Sequence, residues 1–155
     1  MTHPLVVPLL RELVRCYQAF ERVSNAHIRL TGLTPPQFDI VATLGNTPGM
    51  TFKELGQRTL ITKGTLTGVV DRLEQRGIVR RVASECDGRS TLVRLTRAGE
   101  ALFERTFVPH LAFLAPAFEA LPDCGRRELE KRLAQLRIEL ERRHAAMAAD
   151  GEPAE

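Results

Sequence analysis

Between residues 62 and 72 the chain carries Thr62, Lys63, Gly64, Thr65, Thr67, Gly68 and Arg72. Most of these fall on one side of a helical pattern. Glycines at 64 and 68 are poor helix chemistry, at about 1 kcal/mol each relative to alanine. They make sense where something large must come close to the backbone. Short hydroxyls, one lysine and one arginine around them suit phosphate oxygens and base edges. A solvated helix with two accidental glycines is the bland alternative. Further on, Asp87, Gly88 and Arg89 sit in a polar run. There a guanidinium can project from a loop tip, with an acid two residues away to orient it.

The elements around these residues must hold them in place. Thr51, Phe52, Lys53 and Glu54 have the form of a capping box, so a short helix should begin there. Gly56 lies inside it and implies close approach of a second helix. Thr62 is a good N-cap for the next helix, which should run to Arg76 and end at Gly77 in the left-handed region. Leu66, Val69, Val70 and Leu73 fall on one apolar face of that second helix. Two short β-like runs, residues 78–82 and 91–95, flank a polar stretch and predict a hairpin with a long tip. In the second run Leu92 and Arg94 should share one face, and Val93 and Leu95 the other. A helix-turn-helix followed by such a hairpin is a winged helix.

Residues 87–99 follow the pattern D-x-R-x(5)-L-T-x-x-G, and DRLEQRGIV at residues 71–79 precedes it. In this order and spacing the chain resembles the MarR family of bacterial transcription regulators, most densely over residues 34–99. The resemblance implies a mainly α fold, a winged helix-turn-helix with a small two- or three-stranded antiparallel wing and dimerisation helices at both chain ends. It also implies a homodimer on a palindromic duplex operator, often a repressor released by a small phenolic or oxidant signal.

A chain of 155 residues is one domain's worth and long enough for a real core. No apolar stretch is long enough to span a membrane, and residues 5–10 lack the features of a signal peptide. Cysteines at 16, 86 and 124 have no metal-ligand spacing, so no metal or cofactor and a cytoplasmic location are expected. The net charge of +3 is unevenly spread: +1 over residues 1–50, +5 over 51–99 and −3 over 100–155. Positive charge therefore concentrates in the winged-helix region, as a nucleic-acid footprint requires.

Taken in order, residues 1–30 read as one helix, with Pro4 near its start, Gly32 past its end and an apolar stripe of Leu9 or Leu10, Leu13, Tyr17 and Phe20. Thr34 to Gln37 form a second capping box, opening a helix to about Leu44 whose core side is Phe38, Ile40, Val41 and Leu44. Residues 45–50 read as a turn. Thr96 should cap a long apolar helix, bent or broken by Pro109 and Pro116. Asp123 should cap a last helix with Leu129, Leu133, Leu136 and Leu140 in a coiled-coil-like seam. Residues 34–96 are thus the winged-helix region, and residues 4–31 and 97–147 the dimerisation helices, with Leu9, Leu13, Leu133, Leu136 and Leu140 in the seam.

An enzyme is not expected: His3, His27, His110 and His144 are scattered, and no nucleophile–base, paired-carboxylate or phosphate-loop signature appears. A winged helix used only for protein contacts is the alternative, although it would not need Lys63, Arg72 and Arg89 around a glycine-lightened helix. For a signal, Arg15 and Tyr17 are candidates to line a ligand pocket, with plain packing the competing role for Tyr17. Cys124, in the first turn of the last helix beside Arg126 and Arg127, is the candidate redox thiol. The hydroperoxide-sensing branch of the resembled family carries its cysteine farther upstream than Cys16, and an apolar helical setting predicts a buried thiol there. Cys86 lies between Glu85 and Asp87, which disfavour a thiolate.

Overall fold

Two local hydrogen-bond exchanges start the central helices. The Thr34 hydroxyl accepts the Gln37 N–H at 3.4 Å, and the Gln37 side chain accepts the Thr34 N–H at 3.1 Å. Thr51 and Glu54 repeat the arrangement at 3.2 and 2.8 Å. Each pair satisfies donors that a helix start leaves free. The backbone N–H of Thr51, followed by its hydroxyl, also holds the Glu54 carboxyl below its usual pKa.

The structure is a computed structural model that describes residues 4–59, 61–83 and 91–150, with Lys63 and residues 148–150 described by their backbone alone. The order is α1 (Val6–Leu30), α2 (Pro35–Leu44), β1 (Met50–Thr51), α3 (Phe52–Arg58), α4 (Lys63–Gln75), β2 (Val79–Ala83), β3 (Thr91–Leu95), α5 (Arg97–Glu119) and α6 (Asp123–Asp150). The chain divides into two units, Met1–Phe113 and Leu114–Glu155.

In the first unit, β3 lies between β1 and β2 in an antiparallel sheet. Met50 pairs with Val93, and Val79 through Ala83 pair with Leu95 back through Thr91. Met50, expected in a turn, is thus drawn into the sheet by β3. The predicted alternation holds: Val93 and Leu95 are buried, while Leu92 and Arg94 are half-buried. That inner face meets Leu55 of α3, Leu66, Val69, Val70 and Leu73 of α4, and Ile40, Val41 and Leu44 of α2 in one core. Side chains of this size contribute about 1.5–3 kcal/mol each when fully buried, so this core specifies how α4 sits on the sheet. A smaller cluster of Ile28, Leu33, Phe38 and Leu102 joins α1 and α2 to α5.

The first helix begins at Val6 rather than near residue 1, with Pro4 and Leu5 in a turn before it. Gly56 does not mark an unusually close helix approach: a Cβ there would meet only Leu66 Cδ2 at 3.8 Å, ordinary contact. Pro109 and Pro116 do not break α5, which is helical from Arg97 to Glu119. Each proline removes one backbone donor, and around Pro109 the buried Thr106 and His110 keep the helix engaged. Cys16 is exposed rather than buried, because only Ser24 and Ile28 of α1 are buried.

The second unit consists of the end of α5 and the whole of α6. Asp123 is the first residue of α6 rather than its cap: the Pro122 carbonyl accepts the Arg126 N–H at 3.0 Å, and the Asp123 carboxylate pairs with the Arg126 guanidinium. Along the helix Arg132–Glu128 at 2.6 Å, Arg137–Glu141 at 2.9 Å and Arg142–Glu139 at 2.8 Å form surface pairs. Such exposed pairs contribute little to stability, because solvent and salt screen them. Leu129, Leu133 and Leu140 are exposed and Leu136 is half-buried.

Candidate nucleic-acid interface

The apolar side of α4 is spent on the core, so its other side must face away. Thr65, Thr67 and Arg72 are exposed there, and Gly68 is half-exposed. Among the described residues, a Cβ added at Gly64 or Gly68 would meet nothing within 4 Å. The molecule itself therefore gives no packing reason for either glycine. Thr62 holds the N-cap position, but its hydroxyl does not cap the helix. It lies 3.0 Å from the Thr65 hydroxyl instead, an exchange within the exposed first turn.

Both ends of α4 are fixed. At the C-terminus Arg76 is the cap, and Gly77 takes φ +69°, the left-handed conformation that glycine adopts without strain. The next strand turns back at once. Arg81 of β2 grips α4 with its guanidinium on Asp71 at 2.5 Å and on Glu74, while its backbone N–H donates to the Glu74 carboxylate at 3.0 Å. The same guanidinium stands 5.4 Å from the centre of the Phe52 ring on α3. Asp71 is the main cause of a raised Arg81 pKa, partly offset by burial. One arginine thus ties α3, α4 and the base of the hairpin together, a role missed from sequence. Its signal was available: two acids three apart on α4, followed by a basic residue in an adjoining strand.

Thr96 performs a second tie. Its hydroxyl donates to the Gly77 carbonyl at 2.6 Å and accepts the Gly99 N–H at 3.1 Å, while its own N–H donates to the Ile78 carbonyl at 3.0 Å. Thr96 therefore caps α5 as expected and binds that cap to the end of α4. Gly99 is required by close approach: a Cβ there would run into the Ile78 carbonyl oxygen. The L-T-x-x-G motif is in physical terms this junction.

Asp87, Arg89 and Cys86 lie outside the described residues. Of the proposed seam residues in the first unit, Leu9 and Leu13 are exposed on α1, with Leu10, Val14 and Phe20 beside them. Arg15 is exposed, and the Tyr17 hydroxyl donates to Glu21 at 3.1 Å. Partial burial, then the Glu21 carboxylate, raises the Tyr17 pKa. Cys124 is exposed near the start of α6. Two of the scattered histidines are brought together: His27 of α1 and His110 of α5 lie with their Nδ1 atoms 3.0 Å apart. Among the described residues no cluster of three or more potential metal ligands occurs, and no helix is long and apolar enough to cross a membrane.

A helix-turn-helix with an open, glycine-containing face, backed by an antiparallel wing, defines the winged-helix class. A family profile described as the MarR family matches residues 31–90. The homoprotocatechuate degradative operon repressor of Escherichia coli is 32% identical over 105 residues, 68% of this chain and 68% of that one. Among solved structures, the Mycobacterium tuberculosis MarR family protein RV2887 in complex with p-aminosalicylic acid is 29% identical. It covers 83% of this chain and 98% of its own, with a TM-score of 0.66. A MarR mutant from E. coli complexed with operator DNA is 26% identical, covers 84% and 94% respectively, and has a TM-score of 0.72. The chain belongs to the MarR family of transcription regulators, which are not enzymes.

Proposed function

We propose that this regulator is a homodimeric repressor that lays α4 of each subunit into successive major grooves of a palindromic duplex. The observation that carries this reading is the open face of α4, where a Cβ at Gly64 or Gly68 meets nothing among the described residues. Half-sites would be centred roughly 34–36 Å apart, one helical turn. Thr62, Lys63, Thr65, Thr67 and Arg72 contact base edges and adjoining phosphates, and the two glycines let the backbone come close. Asp87 and Arg89 serve the wing, with Arg89 on a flanking minor groove or phosphate. The operator-bound MarR structure and the repressor name of the E. coli relative support the reading. Residues 34–96 form the DNA-binding part, and the helices within residues 4–31 and 97–147 the dimerisation part.

The dimer buries the exposed apolar stripe around Leu9 and Leu13 and the seam of Leu133, Leu136 and Leu140. Release is by a small aromatic acid rather than by thiol oxidation, a choice supported by the p-aminosalicylic acid complex of the M. tuberculosis relative. Arg15 and Tyr17 are the candidates to meet such a ligand, and Cys124 the thiol to be set aside. The test is selection of duplexes from a randomised pool, followed by binding with and without a panel of phenolic acids. A selected palindrome released by a phenolic acid, but not by peroxide, is the expected result. Selection of no sequence would end the proposal.

A further inference from the structure

Histidines 27 and 110 are polar groups that the DNA-binding reading does not use, yet they are among the most carefully housed side chains in the first unit. His110 is 4% exposed. Its Nε2 lies 3.2 Å from the Ser24 hydroxyl, and its Nδ1 lies 3.0 Å from Nδ1 of His27. Phe38 of α2 meets the His110 ring edge-on at 4.8 Å between centres, and Phe113 of α5 stacks on the His27 ring at 4.2 Å. The row Ser24, His110, His27 therefore links α1 to α5, with aromatic rings on its flanks.

Proton counting shows what this row tolerates. Two nitrogens 3.0 Å apart share one proton, so one Nδ1 donates and the other accepts. A first extra proton fits: the ring that carries it donates Nδ1–H to the bare Nδ1 of the other, while His110 Nε2–H donates to Ser24. A second does not fit. It sets two Nδ1–H groups against each other and puts two positive rings in contact beside phenyl faces. Burial first, and the charge of His27 second, lower the His110 pKa in agreement with this. Other ionisable groups stand on the packed elements. On α1, Glu21 is engaged by the Tyr17 hydroxyl; on α2, Asp39 acts on Tyr17; on α5, Glu104 and Arg105 are exposed.

We propose that the Ser24–His110–His27 row is an acid-sensitive joint: it ties α1 to α5 at neutral pH and lets go when the second proton enters, weakening operator binding. The effect on DNA rests on the dimeric reading above, because α1 carries part of the proposed dimer surface and its setting governs the half-site spacing. The closed joint holds His110 neutral with a lowered pKa, whereas the opened joint titrates near the ordinary value of about 6.5. Closure is therefore fully favoured above about pH 6.5 and weakens as pH falls below it. A shift of one pKa unit between the two forms is worth about tenfold.

Bulk electrostatics would act the other way, because protonated histidines add positive charge and strengthen DNA binding at low pH. The experiment uses the full chain and a duplex selected from a randomised pool by the parent protein at about pH 8, titrated down to about pH 5.5 at constant salt. The parent should lose affinity progressively as pH falls below about 6.5, severalfold by about pH 5.5. His27→Gln and His110→Gln should lose little or gain. Affinity that is flat or rising in the parent, or an equal loss in folded variants, overturns the joint. If His110→Gln does not fold, His27→Gln decides alone. Failure of the parent to select any duplex would refute the DNA-binding reading instead. The joint is then judged by imidazole NMR and amide exchange: coupled titration with loss of α1 protection in acid supports it, and independent titration of the two rings overturns it.

Discussion

The Thr96 hydroxyl stands 2.6 Å from the Gly77 carbonyl, so the residue that starts α5 also closes the end of α4. Two otherwise unrelated helix ends share one side chain. Thr96→Ala should cost about 1 kcal/mol, the usual loss of an N-cap, and Thr96→Ser should recover most of it. Gly99→Ala should cost more, about 1–3 kcal/mol, because the new methyl collides with the Ile78 carbonyl. Denaturant unfolding of the three variants checks the order; an unaltered Gly99→Ala protein would refute the close approach.

Arg81 is expected to matter for both stability and binding. Its guanidinium holds Asp71 and Glu74 and faces Phe52, in a setting only partly shielded from solvent. Screening limits the ion pairs themselves to about 1 kcal/mol or less. Arg81→Ala should therefore lower stability modestly while reducing operator affinity severalfold, since α4 and the hairpin lose their shared anchor. Arg81→Lys cannot span both acids with a planar fork and should fall between the two. Affinity unchanged in Arg81→Ala would mean the core alone sets the angle of α4.

Gly68 separates binding from folding. Its Cβ direction is open, and its backbone is ordinary helix. Gly68→Leu should leave the protein as stable or more stable by up to about 1 kcal/mol. Operator affinity should drop at least tenfold, because the side chain occupies the space proposed for the duplex. A destabilised variant with normal affinity would place the glycine in the fold's service rather than the ligand's.

Leu136 tests the proposed seam. It is half-buried on α6 among exposed leucines at 133 and 140. Leu136→Asp should give monomers by sedimentation, with loss of binding to the paired site. A dimer that survives the change would assign this leucine to packing within its own chain.

The capping boxes at Thr34 and Thr51, the Thr96 cap and the Gly77 stop were all legible, because each depends on groups within a few residues of one another. The buried side of α4 was legible for a similar reason: Leu66, Val69, Val70 and Leu73 repeat at helical spacing. His27 and His110 were not, being 83 residues apart and joined only by the packing of α1 against α5. Arg81 looked like one of several basic residues until the hairpin folded back on α4. The unbroken run of α5 through Pro109 was not legible either, because the sequence does not show that Thr106 and His110 are buried beside it. Cys16 differs: an apolar stripe implied burial, but the stripe faces outward in the single chain.

In the function proposed above, the open face of α4 holds duplex DNA through phosphate and base contacts. The most direct test is the salt dependence of binding to a selected palindrome, with an unrelated duplex as control. A log–log slope of about −4 or steeper is expected, scaling as about −0.9 per phosphate contact, with the slope reduced by about two in Arg72→Ala because the dimer carries two copies of the residue. The selected duplex should stay the tighter ligand at every salt concentration. A slope near zero, or equal affinity for both duplexes, would contradict that function.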